Sequence, residues 1–286
     1  MTAAGRYALM WSGGKDSALA LTRARASGLE VASLLNFVDD VSRRVRFHAT
    51  RAELIAAQGA AIGVPLRQVA TSWGGFEAAF RAVLADLAWQ GFAGVIFGDI
   101  HLADVRAWYE ERVRDAGLEH VEPLWGEPPA ALLSEFVARG GRAVVTCCEQ
   151  AKLDDGWLGR IIDERFARDI AGAGIDVCGE NGEYHSFAFA GPIFRTPVAW
   201  SGGEVRLQDG FAQLDLLSPL DAVVGEVVVA QQQLAHDVRS GTPKAWGKLA
   251  ALAVVAYRRR LGRALSDPER RALWSALWRA THESVR

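Results

Sequence analysis

Short apolar runs alternate with amphipathic stretches through the first 150 residues of the chain. The runs at 7–11, 31–38, 66–70, 94–98, 120–124 and 143–148 read as buried strands. The stretches 16–27, 49–62, 76–90, 103–116 and 129–139 read as helices; in the third, Phe76, Phe80, Val83, Leu84 and Leu87 fall on one face. Strands alternating with helices predict right-handed crossovers and a mostly parallel α/β sheet. Ligands of such sheets bind beyond the carboxyl ends of the strands, which is where the loop at 12–17 and the pair Gly98-Asp99 fall.

After residue 150 the rhythm changes. Residues 157–169 read as a helix, 171–184 as a loop rich in glycine and carboxylates, and 186–190 and 192–197 as short β runs. A hairpin is expected around Ser201-Gly202-Gly203. From 218 onward the pattern is helical. Thr242-Pro243 and Ser266-Asp267-Pro268-Glu269 are start signals, the latter fitting a capping box. Trp246, Trp274 and Trp278 predict a helical hairpin packed on the main body or on a second subunit, a homodimer in the latter case. The expected organisation is a nucleotide-binding domain at 1–150, a smaller α+β substrate module at 151–217 and a helical C-terminal extension at 218–286.

Composition narrows the class. Half of the residues are hydrophobic, enough for a substantial core, and the net charge of −2 argues against a large nucleic-acid footprint. No run approaches the ~18 apolar residues of a membrane span, and no signal peptide is visible, so a cytoplasmic protein is expected. Cys147, Cys148 and Cys178 show neither metal spacing nor a disulfide framework; the first two end an apolar strand and are expected to be buried. His101 and His120 read as ordinary surface or loop residues. Lysine occurs only at 15, 152, 244 and 248, an arginine bias that fits a GC-rich, bacterial genome.

The string Ser12-Gly13-Gly14-Lys15-Asp16-Ser17 lies between the first strand and the first helix. Two glycines let the backbone approach an anion closely, and the helix start points its free N–H groups and positive dipole end at it. Lys15 adds a point charge; Ser12 and Ser17 add hydroxyls. The bland alternative is a capped glycine turn. A Walker A loop is excluded, because Asp16 follows the lysine and no glycine lies five residues before Gly14. The string resembles the PP-loop of the ATP pyrophosphatases, which cleave ATP between the α- and β-phosphates to make an adenylate.

A second string, Cys178-Gly179-Glu180-Asn181-Gly182-Glu183-Tyr184-His185-Ser186-Phe187, follows Asp176 and crowds carboxylates into a glycine-rich loop, with Asp169 nearby. Close carboxylates repel one another, so they call for Mg²⁺ or an ammonium group; the bland alternative is a solvated acidic loop.

With Gly191-Pro192-Ile193-Phe194, the stretch 48–65, Phe97-Gly98-Asp99 with Asp104 and Arg106, Pro123-Leu124-Trp125-Gly126 and Val144-Val145-Thr146-Cys147, the two strings resemble the diphthine–ammonia ligase family over roughly residues 5–215. The resemblance implies a Rossmann-like HUP fold with a five-stranded parallel core. It also implies a reaction: a carboxylate attacks the α-phosphate of ATP, pyrophosphate leaves, and ammonia displaces AMP to give an amide. In the family the carboxylate belongs to diphthine, a modified histidine of translation elongation factor 2; an unidentified carboxylate is the other candidate.

On that scheme Ser12, Gly13, Gly14, Lys15 and Ser17 hold the leaving phosphates. Lys15 and Asp16 are candidate catalytic residues, and Asp16 and Asp99 candidate Mg²⁺ ligands. Asn36, Phe37, His48 and Gly98 are candidates for the nucleotide, His48 equally for a helix cap. Glu180 and Glu183 are candidate catalytic residues that position ammonium or take its proton. Asp104, Arg106, Cys178, Gly179, Asn181, Gly182, Tyr184 and His185 complete the acyl side.

Rival classes remain distinct. A tRNA-thiolating PP-loop enzyme is expected to carry paired C-x-x-C cysteines or a basic face, and neither is visible. A glutamine-dependent synthetase needs its own nucleophilic cysteine; initiator removal from Met1-Thr2-Ala3 exposes none, so free ammonia is the expected nitrogen donor. An adenine-nucleotide sensor would bind ATP or AMP without forming pyrophosphate.

Overall fold

The computed structural model describes residues 5–46 and 48–282; Met1-Thr2-Ala3 lies outside them. The chain divides into two compact units, one of residues 1–198 with 204–216, the other of 199–203 with 217–286.

In the first unit β1 (Arg6–Met10), β2 (Glu30–Asp39), β3 (Leu66–Thr71), β4 (Phe92–Ile96) and β5 (Glu119–Val121) form a parallel sheet in the order β3-β2-β1-β4-β5. Helices α1 (Lys15–Ala26), α2 (Ala52–Ile62), α3 (Phe76–Trp89), α4 (Ala103–Asp115) and α5 (Pro129–Ala138) alternate with them. This is the Rossmann-like α/β architecture expected of a HUP fold. The strand order reverses at β1, so a crevice opens between the loops after β1 and β4. One apolar layer packs Leu35, Phe37, Val95 and Phe97 of the sheet region against Phe80, Val83, Leu84 and Leu87 of α3.

The sixth apolar run does not extend this sheet. As β6 (Arg142–Glu149) it centres an antiparallel sheet with β7 (Ile161–Ile162), β8 (Tyr184–Ala190) and the hairpin of β9 (Ser201–Gln208) and β10 (Phe211–Leu217). Three expectations are corrected. The helix read at 157–169 is a strand, β7, followed by α6 (Glu164–Ala171), which starts where Asp163 caps the Phe166 N–H. Residues 192–197 form turns and irregular chain, not a strand. The hairpin turns at Asp209-Gly210 (φ +51° and +82°), the Asp-Gly signature of a tight turn, and 201–203 begin its first strand.

Among the described residues the second unit has four helices, α7 (Pro219–Ala230), α8 (Gln232–Arg239), α9 (Ala245–Leu261) and α10 (Asp267–His282), in a segment expected to be helical from 218 onward. Val223, Val227, Leu249, Ala253, Leu273 and Leu277 are buried in its core. Trp246 meets Trp278 edge to face at 5.2 Å. Ser266 and Glu269 exchange the two bonds of a capping box. Among the described residues no helix is long and apolar enough to cross a membrane.

Candidate functional site

The turn after β1 is built from within the first unit's core. Gly13 has φ +85°, and a Cβ there would lie 2.5 Å from Ile55 Cδ1 and 2.7 Å from Gln58 Oε1. Gln58, fully buried on α2, accepts from Trp11 Nε1 at 2.8 Å and donates to the carbonyls of Gly13 (2.9 Å) and Ala188 (2.6 Å). One amide side chain thus ties the glycine turn to both sheets. Helix α1 starts at Gly14 with no side-chain cap from that residue, and hydroxyls of Ser12 and Ser186 meet its first two N–H groups, where an anion would find donors and the positive end of the helix. Ser12 Oγ accepts from the Gly14 N–H (3.2 Å), and Ser17 Oγ donates to the Gly14 carbonyl (3.0 Å).

Lys15 is 3% exposed. Its Nζ donates to Asp16 Oδ2 at 2.8 Å and to the Cys178 carbonyl, and lies 5.0 Å from the centre of the Tyr184 ring. Burial opposes its charge, but Asp16, Tyr184 and Cys178 together outweigh it and hold the ammonium well above the usual lysine range. Strand β8 closes on the same turn: Lys15 N–H donates to Ser186 Oγ (3.2 Å), and Ala188 N–H to the Gly13 carbonyl (2.8 Å).

These residues border a cavity of about 760 Å³, inside the range of about 300–1,000 Å³ usual for small-molecule sites. It runs from Ser12, Lys15, Asp16 and Ser17 along Asn36, Phe37 and Phe76 to Gly98, Asp99 and Tyr109, and is walled by Cys178, Gly179, Glu180, Gly182, Tyr184, His185 and His48. The sequence had also suggested Asn36 as a nucleotide contact. Its amide donates to the Trp11 carbonyl (2.8 Å) and accepts from Gln68 Nε2 (3.1 Å), joining the carboxyl ends of β1, β2 and β3. Gly98 lets the β4 loop touch α1: a Cβ there would lie 3.2 Å from Asp16 C and Ser17 N.

Three carboxylates line the cavity. Burial, then the Asp16 charge, pushes Asp99 up to about 6. Burial, then Asp16 and Asp99, pushes Glu180 up to about 7, against the bond it accepts from the Ile100 N–H at 2.7 Å. Mutual repulsion of this kind is what a bound cation relieves. Among the described residues no group of three His, Cys, Asp or Glu forms a metal cage. Asp16 and Asp99 therefore fit a Mg²⁺ held chiefly by phosphates, which needs only one or two protein carboxylates.

Several sequence candidates sit outside the cavity wall. Glu183 is 3% exposed; its Oε1 accepts from the Asp176 N–H (3.4 Å) and Asn181 Nδ2 (3.3 Å), so Glu183 and Asn181 brace the loop from behind. Arg106 stacks on Trp125 (4.4 Å) and meets Glu122 Oε2 at 3.1 Å; Asp104 is exposed at the start of α4. Asp169 pairs with Arg160. Cys178 is on the wall but offers only its carbonyl to Lys15; burial pushes its thiol up to about 12, and Sγ lies 3.2 Å from the Pro129 carbonyl. Cys147 and Cys148 are buried as expected. His120 is not a surface residue: it lies on β5, packed on Phe97 at 4.7 Å. His101 pairs with Asp176 at 2.6 Å.

Sequence reasoning did not single out Arg46, Tyr109 or Ser186, which line the cavity, nor Gln58, which holds the turn. Arg46 stacks on Trp73 (5.0 Å) and donates to the Thr71 carbonyl (3.0 Å). Ser186 stood inside the second signature; the others carry no local signal.

Residues 5–120 match the family model described as the diphthamide synthase N-terminal domain, and 128–214 match that of the C-terminal domain. Over 243 residues the chain is 26% identical to the diphthine–ammonia ligase of Homo sapiens, covering 76% of this chain and 91% of the human protein. It is 25% identical to that of Rattus norvegicus over 239 residues, 74% of this chain and 90% of the rat protein. Against the Danio rerio ligase it is 29% identical over 106 residues, 35% of this chain and 42% of the fish protein. Two domain matches in the family's order, spanning both signatures, mean that the chain belongs to the diphthamide synthase family of diphthine–ammonia ligases.

Proposed function

We propose that this protein is an ATP-dependent carbon–nitrogen ligase that forms an amide from a carboxylate and ammonia. The carboxylate oxygen bonds to the α-phosphorus and pyrophosphate leaves; ammonia then attacks the acyl carbon, sheds a proton and expels AMP. The observation that carries this is one cavity shared by an anion-binding turn with a buried lysine and by a carboxylate, Glu180, suited to proton transfer near neutral pH. The named relatives supply the substrates, diphthine and ammonia.

In this scheme the N–H groups of the turn and Lys15 receive the β- and γ-phosphates, where charge builds as the bond breaks. Phe37, Phe76 and Phe97 offer an apolar wall to the base. Mg²⁺ on the phosphates, beside Asp16 and Asp99, would neutralise that charge. Glu180 takes the proton that ammonium must lose to become a nucleophile. Residues 1–150 supply most of the nucleotide side and 151–217 most of the acyl and ammonium side.

The test is to incubate the protein with ATP, Mg²⁺ and ammonium, with and without diphthine-bearing elongation factor 2, and to measure AMP and pyrophosphate. AMP formed only with the factor supports a diphthine ligase. Slow AMP without it supports the same chemistry on another carboxylate, and nucleotide binding with no pyrophosphate makes the protein a sensor.

A further inference from the structure

Two imidazoles lie against the anion-binding turn. His48 comes from the β2–α2 connection, held by the bond from Thr146 Oγ1 to its carbonyl (3.0 Å) and by Arg44 and Arg51 on Asp215 of β10 (each 2.8 Å). Its Cε1 would be 3.0 Å from a Cβ on Gly14, so the ring edge rests on the turn itself. His185 stands on β8 opposite Cys147, and the two rings lie 4.7 Å apart at 39°. Both line the cavity.

The protonation of His48 follows from its partner. Nδ1 lies 3.2 Å from the Ser186 carbonyl, which only accepts, so Nδ1 carries the proton. In the neutral ring Nε2 is then the basic nitrogen. A lone pair facing phosphate oxygens repels them; the same nitrogen protonated becomes a donor with a charge.

We propose, building on the ATP-ligase reading, that His48 and His185 form a proton-accepting wall for the pyrophosphate end of the nucleotide. The pair is uncharged in the ligand-free protein and takes up a proton from solvent when a polyphosphate enters.

The surrounding charges agree. Burial lowers both rings below the usual histidine range; for His185 the His48 and Lys15 charges lower it further. Lys15 also opposes a charge on His48, and Asp16 favours one. Arg46 lines the same cavity, and the Cys147 thiol of β6, pushed up to about 12, stays neutral. A polyphosphate reverses this balance. Because it favours the protonated pair, its affinity rises as pH falls from the bound-state pKa towards the free one, by up to about tenfold per pH unit for each proton taken up. AMP lacks the β- and γ-phosphates and gains little, so the pair favours ATP and pyrophosphate over AMP.

Calorimetric titrations with inorganic pyrophosphate and with AMP, in buffers of different ionisation enthalpy at one neutral pH, read this directly once each ligand's own titration is subtracted. Pyrophosphate is expected to take up roughly a half to one proton, and AMP almost none. His48→Gln and His185→Gln should each cut the uptake and flatten the pH dependence of pyrophosphate affinity. Pyrophosphate binding with no uptake, equal uptake with AMP, or uptake surviving both substitutions overturns the proposal while leaving the ligase intact. Failure of both ligands to bind overturns the nucleotide reading with it. Should a variant not fold, the histidine ring resonances of the wild-type protein, followed by NMR as pyrophosphate is added, separate uptake by the imidazoles from uptake by Asp99 and Glu180 in the same cavity, and rings that stay neutral overturn the proposal.

Discussion

Lys15 Nζ donates to the carbonyl of Cys178, 163 residues away in the chain, and this bond joins the two signature strings. The glycine turn and the carboxylate loop are therefore one site, with a buried ammonium as the shared element.

Lys15→Met should abolish pyrophosphate formation with little loss of fold. The methionine fills the same channel, and Asp16, partly exposed, is left beside water. Removal of one transition-state donor of this kind costs about 10²–10³ in rate. AMP release measured beside a circular dichroism spectrum checks this; normal turnover would contradict it.

Gly13→Ala should destabilise the protein. The backbone is in the left-handed region and the new methyl would collide with Ile55 and Gln58. A cost on the order of 1–3 kcal/mol follows from the strained backbone alone, readable as a lower denaturation midpoint. An unchanged midpoint would mean that the turn relaxes.

Glu180 makes ligand-free stability depend on pH. Its folded-state pKa of about 7 lies above its unfolded value, so the folded state binds the extra proton. Stability is fully present below the unfolded pKa and is lost as pH rises to about 7. Glu180→Gln removes that loss and should stabilise the ligand-free protein near pH 8 by about 1–2 kcal/mol, while lowering amide formation. Thermal melts from pH 5 to 8 check the sign; equal slopes for both proteins would refute it.

Cys178 should behave as a structural thiol. With its pKa pushed up to about 12 by burial, it is protonated at neutral pH and should escape iodoacetamide in the native protein. Cys178→Ala should keep AMP formation within about threefold, since the carbonyl that meets Lys15 belongs to the backbone, and cost about 1 kcal/mol of packing. Mass spectrometry of the alkylated protein and AMP release from the variant decide it.

Much of the parallel-sheet half was legible because its signals are local. Strands β1 to β5 and helices α1 to α5 follow the apolar periodicity to within a few residues, and Ser12–Ser17 carries its chemistry in consecutive positions. The carboxylates of the second string were legible as a group but not individually. Glu180 and Glu183 are equivalent in sequence; the turns at Gly179 (φ +70°) and Gly182 (φ +86°) send one to the cavity and the other behind the loop.

The sequence by itself determined the alternating α/β rhythm, the anion-binding turn and the family likeness, because periodicity and short motifs act over a few residues. Tertiary structure decided where β6 pairs, which glutamate faces the cavity, that Arg106 belongs to Glu122, and that the His48 and His185 rings meet. The pairing of β6 and the contact of the two histidines depend on residues far apart in the chain, brought together only when the two sheets of the first unit close on the turn between Gly13 and Lys15. Burial there, which no local pattern encodes, moves Asp99, Glu180, His48 and His185 away from their usual ranges.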